Sequence, residues 1–164
     1  MKVLIATDGS DFSNQAIKKC SQIVNKDKGL AIKIISVYEQ VPIMATEPFA
    51  VSTDYITVMS KVLKKEAENH VSEAMTIIKS SMPDTEIDFT SKVELGIPEQ
   101  VIIETAQEWQ ADLIVVGSHG RGFWGRTMIG STSDAIIHNA HCPVLVVRKS
   151  AGVNVKSTAA NKYD

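Results

Sequence analysis

Residues 112–133 read Asp-Leu-Ile-Val-Val-Gly-Ser-His-Gly-Arg-Gly-Phe-Trp-Gly-Arg-Thr-Met-Ile-Gly-Ser-Thr-Ser, and these types at this spacing suit the holding of phosphate. The apolar, β-branched run 113–116 is expected to be a buried strand. Gly117 and Gly120 open a loop behind it, and Gly130-Ser131 closes that loop onto a helix start. Glycine lets backbone approach a bulky anion and adopt positive φ at little steric cost. A helix N-terminus offers unpaired N–H groups and the positive end of the dipole. Ser131, Thr132 and Ser133 add hydroxyls at that start. Arg121 and Arg126 supply charge near a phosphate, or are solvated loop residues.

Other patterns overlap this segment and fail on context. Gly120-x-Gly122-x-x-Gly125 fits the dinucleotide fingerprint, but that fold needs a short loop running directly into a helix and an acidic residue about 20 positions on. Here the next strand ends at Val147-Arg148, which is basic. Gly120-x4-Gly125-Arg126-Thr127 misses Walker A by one residue, with arginine in place of the phosphate-reaching lysine. His119 sits in the loop with no carboxylate close in sequence to orient it, so it reads as a positioning or solvent-facing residue rather than a base. His70 lies on a helix and asks for no special account. No His, Cys and carboxylate spacing suggests a metal site built from side chains. Ser131 with Asp134 also fits a capping-box start, a role compatible with phosphate binding. Asp8 before Gly9 either meets a ligand or closes a turn.

The elements that would position these residues follow from periodicity. Residues 2–7 form a strand, and Ser10 or Asp11 can cap the next helix. That helix runs to about residue 25 with Ala16, Ile17, Cys20, Ile23 and Val24 inward. A turn follows at 26–29 and a buried strand at 30–37. Residues 39–53, with Pro42 and Pro48, form a long loop. A long amphipathic helix over 54–80 carries Val58, Val62, Leu63, Val71, Ala74, Met75 and Ile78 at helical spacing, and Pro83 lies beyond its end. A half-buried strand spans 86–95, and a helix with Pro98 in its first turn follows. Strand 113–116, helix 131–139 and strand 144–147 complete the set. Strand and helix alternate five times, which points to a parallel sheet with helices on both faces. Ligands of such sheets bind beyond the carboxyl ends of strands where the strand order reverses. Asp8, Val37 and Gly117 all fall at such ends.

With 164 residues the chain suits one domain, expected over 1–149, with 150–164 a polar, flexible tail. Seventeen basic against 19 acidic residues give a net charge of −2, and no block of either sign exists. That balance offers no footprint for nucleic acid or an anionic membrane. The first ten residues do not read as a secretory signal, and no run of about 18 apolar residues could span a membrane. Two cysteines are too few for a disulfide framework, Cys20 reading as core, and a cytoplasmic setting is expected.

In its wider frame, Gly117-x-x-Gly120, nine residues, then Gly130-Ser131 resembles the nucleotide-binding branch of the universal stress protein family. The opening Ile5-Ala6-Thr7-Asp8-Gly9-Ser10 and the ending Cys142-Pro143-Val144-Leu145-Val146-Val147 are similar to that family's first strand and last strand. The resemblance implies binding of ATP or AMP, with Mg²⁺ accompanying ATP through its phosphates, and little or no turnover. It implies nucleotide contacts at Thr7, Asp8, Val37, Val116, Gly117, Gly120, Gly130, Ser131, Thr132 and Ser133. Asp8 would face the ribose or adenine, Val37 the adenine, Gly117 and Gly120 the ribose and phosphates, and Gly130 to Ser133 the phosphates. It further implies a stress-response module that dimerises through strand 144–147. Phe123 and Trp124 inside the spacer, and the chain beyond Lys149, depart from the pattern.

The resulting reading is a single-domain α/β fold, Rossmann-like and akin to the adenine nucleotide alpha hydrolases, with an open parallel five-stranded sheet ordered 3-2-1-4-5. One rival is a slow ATP-hydrolysing or phosphoryl-transferring enzyme, which would need a base and a second metal-holding carboxylate. Another is a dimeric interaction module without nucleotide. A phosphoacceptor receiver shares the strand order but needs an aspartate ending the third strand, where Glu94-Leu95-Gly96 stands.

Overall fold

The computed structural model describes residues 1–24, 29–40, 53–83, 85–120 and 129–148. Most of the proline-bearing connection, Arg121, Arg126, Phe123, Trp124 and the expected tail lie outside these residues. The elements run β1 (Lys2–Ala6), α1 (Asp11–Ile23), β2 (Leu30–Tyr38), α2 (Thr53–Ser81), β3 (Ile87–Leu95), α3 (Pro98–Trp109), β4 (Leu113–Gly117), α4 (Ser131–Asn139) and β5 (Val144–Val147). The strands form one sheet in the order β3-β2-β1-β4-β5, with every pairing parallel.

β1 is the central strand because its residues can be buried on both sides. Val3 pairs with Ile32 on one flank and Leu113 on the other. Alternation then divides β1 between two cores. Val3 and Ile5 join Ile32, Ile34 and Val115 beneath α1 and α2. Leu4 and Ala6 join Ile35, Ile114 and Val116 beneath α3 and α4. Each fully buried aliphatic side chain contributes roughly 1.5–3 kcal/mol by leaving water. β3 is half covered, as its alternation predicts. Ile87, Phe89 and Val93 pack against the α1–α2 core, while Lys92 and Glu94 form a 2.7 Å ion pair.

Two helices depart from the expected pattern. α1 ends at Ile23, which is 49% exposed, because Val24 leaves the helix with φ −70° and ψ 140° and carries its own side chain into the core. On α2 the buried stripe is Ala67, Val71, Ala74 and Ile78. Val58 and Val62, expected in the core, are exposed, because only the C-terminal half of α2 lies over the sheet. Met59 and Leu63 of the N-terminal half instead face a cavity. Proline at the first position of α3 fits its missing N–H.

Burial pushes the Cys20 thiol from an ordinary value near 9.0 to about 12. Cys142 is half-buried, its thiol also raised, first by burial and then by Asp112. Since the thiolate is the nucleophile, a maleimide at pH 8 is expected to label the native protein slowly at Cys142 and not at Cys20 until denaturant is added. Rapid labelling of two thiols in the native state, read by intact-mass spectrometry, would contradict this burial.

Candidate functional site

Two helices begin at the carboxyl edge of the sheet beside β1 and β4, and their starts differ in a way that matters for anions. At α1, Ser10 is the N-cap and its Oγ accepts from the Ser13 N–H at 3.2 Å. The Asp8 carboxylate closes the preceding turn, accepting from the Ser10 N–H at 3.1 Å and the Ser10 Oγ at 2.7 Å. Thr7 Oγ1 donates to Ser13 Oγ at 3.2 Å and accepts from the Gly9 N–H at 3.2 Å. The polar groups of this turn thus serve one another. Asp8 closes the turn, and it also lines the cavity.

At α4 the N-cap is Gly130, with φ −65° and ψ 150°, and among the described residues no side chain caps the first turn. Ser131 is therefore the first helical residue, so the expected capping box is absent. The Asp134 carboxylate stands 3.8 Å from His138 Nδ1 instead. The Gly130 N–H donates to the Ser118 carbonyl at 2.8 Å, fixing the helix start against the end of β4. Ser133 Oγ donates to the Gly117 carbonyl at 2.7 Å, and Thr132 Oγ1 donates to Glu99 Oε2 at 3.4 Å. First-turn amides without a cap, together with the dipole, make a favourable seat for negative charge.

Both helix starts open on one cavity of about 730 Å³. Thr7, Asp8, Val37, Val116, Gly117, Gly120, Gly130, Ser131, Thr132 and Ser133 all line it. Val37, Met59, Leu63, Ala67 and Ile102 give it apolar walls, and the start of α4 gives it a polar end. Arg121 and Arg126 lie outside the described residues. Among the described residues no group of three or more His, Cys, Asp or Glu side chains is placed to hold a metal ion.

The glycines have different reasons to be glycine. A Cβ on Gly117 would lie 2.7 Å from the Phe12 carbonyl carbon and 2.8 Å from the Ser13 nitrogen, so the start of α1 rests directly on this residue. A Cβ on Gly120 would stand 3.1 Å from Asp8 Oδ2, which brings the loop after β4 against the turn after β1. Gly9 has φ +74°, and a Cβ there would overlap the His70 ring.

Two histidines take places that the sequence did not suggest. His119 is 9% exposed rather than solvent-facing, with Nδ1 2.9 Å from Ser118 Oγ and its ring 5.0 Å from that of Phe12. His70 lines the cavity from α2 together with Glu66, their Nε2 and Oε1 atoms 4.0 Å apart. The available signal was a polar residue in the apolar stripe Leu63, Ala67, Val71 and Ala74, whose spacing puts residue 70 on the inward face.

A parallel sheet covered by helices on both faces, with a cavity at the point where strand order reverses, defines a domain of the doubly wound α/β class. The Universal stress protein family profile matches residues 1–148, and the chain belongs to that family. Universal stress protein MJ0531 of Methanocaldococcus jannaschii is 32% identical over 150 residues, covering 90% of this chain and 82% of that protein. Among solved structures, the fold is similar to that of MJ0577 from the same organism, with a TM-score of 0.73 at 22% identity over 90% of this chain and 95% of that one. It is also similar to an Arabidopsis thaliana family member solved with AMP bound, with a TM-score of 0.56 at 20% identity over 98% and 99% of the two chains. A universal stress protein solved in complex with cAMP gives a TM-score of 0.55 at 22% identity over 90% and 96%. At these identities the structural likeness is one of fold.

Proposed function

We propose that this chain binds an adenine nucleotide, AMP or ATP, at the carboxyl edge of the sheet, as a stress-response regulatory module with little or no turnover. The observation that carries this is the contrast between the two helix starts: Ser10 caps α1, whereas among the described residues no side chain caps α4 beside the same cavity. The AMP and cAMP held by two proteins of the same fold support the choice of an adenine nucleotide. In this reading the phosphates sit on Gly130, Ser131, Thr132 and Ser133, with Arg121 and Arg126 as further contacts. The base lies along Val37, and Thr7, Asp8, Val116, Gly117 and Gly120 surround the sugar between them. Mg²⁺ accompanies ATP on its phosphates.

Residues 1–149 act as one unit in the cytoplasm, and two copies pair through β5. That strand ends the sheet and its four aliphatic side chains are all partly exposed, an edge suited to pairing. Among the described residues no helix is long and apolar enough to cross a membrane. Nucleotide alters conformation or partner choice only to the extent that it binds two states unequally.

Calorimetric titration with AMP and ATP tests the reading, and saturable heat at one site per chain is expected. Gly130→Val should remove it. A Cβ there already stands 3.4 Å from the His119 Cα and the Ser118 carbonyl, and the added methyls would part α4 from the 118–120 segment. Normal nucleotide retention by a folded Gly130→Val protein would count against the site. Radiolabelled ATP turned over well above the spontaneous rate, with loss in Asp8→Ala, would favour an enzyme instead.

A further inference from the structure

Glu99 places a negative charge beside the helix end that we assign to phosphate. It lies in the first turn of α3, where a carboxylate is favoured by that helix's own dipole. Its Oε2 accepts from Thr132 Oγ1 at 3.4 Å, in the first turn of α4. Pro98, one residue earlier, and Thr132 both line the cavity, so the starts of α3 and α4 stand side by side at its rim. One of the hydroxyls that we assign to phosphate is therefore already shared with an anion of the protein.

Repulsion between this carboxylate and a ligand grows with the ligand's charge. A cyclic phosphate carries one negative charge, a monoester two, and an uncomplexed triphosphate about four. The same Thr132 amide and hydroxyl thus favour ligands differently according to charge alone. We infer that Glu99 is a specificity-determining residue that sets the charge this site accepts, admitting nucleotide monophosphates and metal-complexed triphosphate in preference to metal-free triphosphate. This rests on the nucleotide reading above and adds to it a reason for discriminating among nucleotides of one base.

The test compares AMP and ATP affinities of the wild type and Glu99→Gln by calorimetry, without divalent cation and with saturating Mg²⁺. Glutamine keeps an acceptor oxygen for Thr132, removes the charge and puts an amide NH2 in place of the other carboxylate oxygen, a change common to both nucleotides. In the absence of metal, Glu99→Gln is expected to tighten ATP binding by roughly tenfold and AMP by roughly threefold, a selective gain that Mg²⁺ and high salt reduce. Glu99→Asp, which keeps the charge on a shorter stem, is expected to retain the wild-type ratio. An unchanged ATP-to-AMP ratio in Glu99→Gln, or equal gains for both nucleotides, overturns the role of Glu99 while leaving nucleotide binding intact. A folded wild type that binds neither nucleotide overturns the reading beneath it and this one together.

Discussion

Ser131→Pro is expected to weaken AMP binding by roughly ten- to a hundredfold, the loss of one hydrogen bond to a charged group, while leaving the fold in place. Ser131 is the first residue of α4, where proline's fixed φ suits a helix and its missing N–H breaks no intrahelical bond. The residue before a proline must be extended, and Gly130 already is, with φ −65° and ψ 150°. The substitution therefore deletes a donor with little strain. Ser131→Ala separates the hydroxyl from the amide, since it keeps the N–H and should retain most of the affinity. Unaltered AMP affinity in a Ser131→Pro protein that melts like the wild type would mean that the phosphate does not sit on this amide.

The second large effect falls on stability. Gly117→Ala is expected to destabilise the protein by about 3 kcal/mol, at the upper end of the usual range for overpacking, lowering the melting temperature by roughly 6–12 °C. The reason is the partner of the added methyl: its nearest neighbours are backbone atoms of Phe12 and Ser13, which cannot swing aside as a side-chain tip can. Relief would require moving the start of α1, and with it the Ser10 cap and the Asp8 turn. Urea unfolding followed by circular dichroism reads this directly. A loss under about 1 kcal/mol would show that α1 yields easily and that Gly117 is glycine for the ligand's sake. Nucleotide affinity in the same variant adds a second reading, because the displaced turn and the β4 end border one cavity.

Much of this architecture was legible from local pattern. The short β-branched run Ile114-Val115-Val116, closed by Gly117, marked a strand, and alternation at 87–95 announced a strand with one covered face. Pro98 and Gly130 marked helix starts through backbone preferences that act within a residue or two. The convergence of Asp8, Val37 and Gly117 needed only the rule that parallel strands share a carboxyl edge. What the sequence hid was contact at long range. His70 meets Gly9 across 61 positions of chain, and Glu99 reaches Thr132 across 33. Neither pairing leaves a periodic trace, because each is fixed by how two finished elements dock. The exposure of Val58 and Val62 was hidden for a related reason: helical spacing identifies a stripe but not the point at which the sheet beneath it stops.

Gly117 joins two mechanical roles in a single peptide unit. The beginning of α1 bears on its α-carbon, and Ser133 of α4 hangs from its carbonyl oxygen. α1 in turn touches the outermost strand, β5. Tension applied to the opening turn of α4 is therefore delivered through one fulcrum to α1, and along that helix toward β5 at the edge of the sheet.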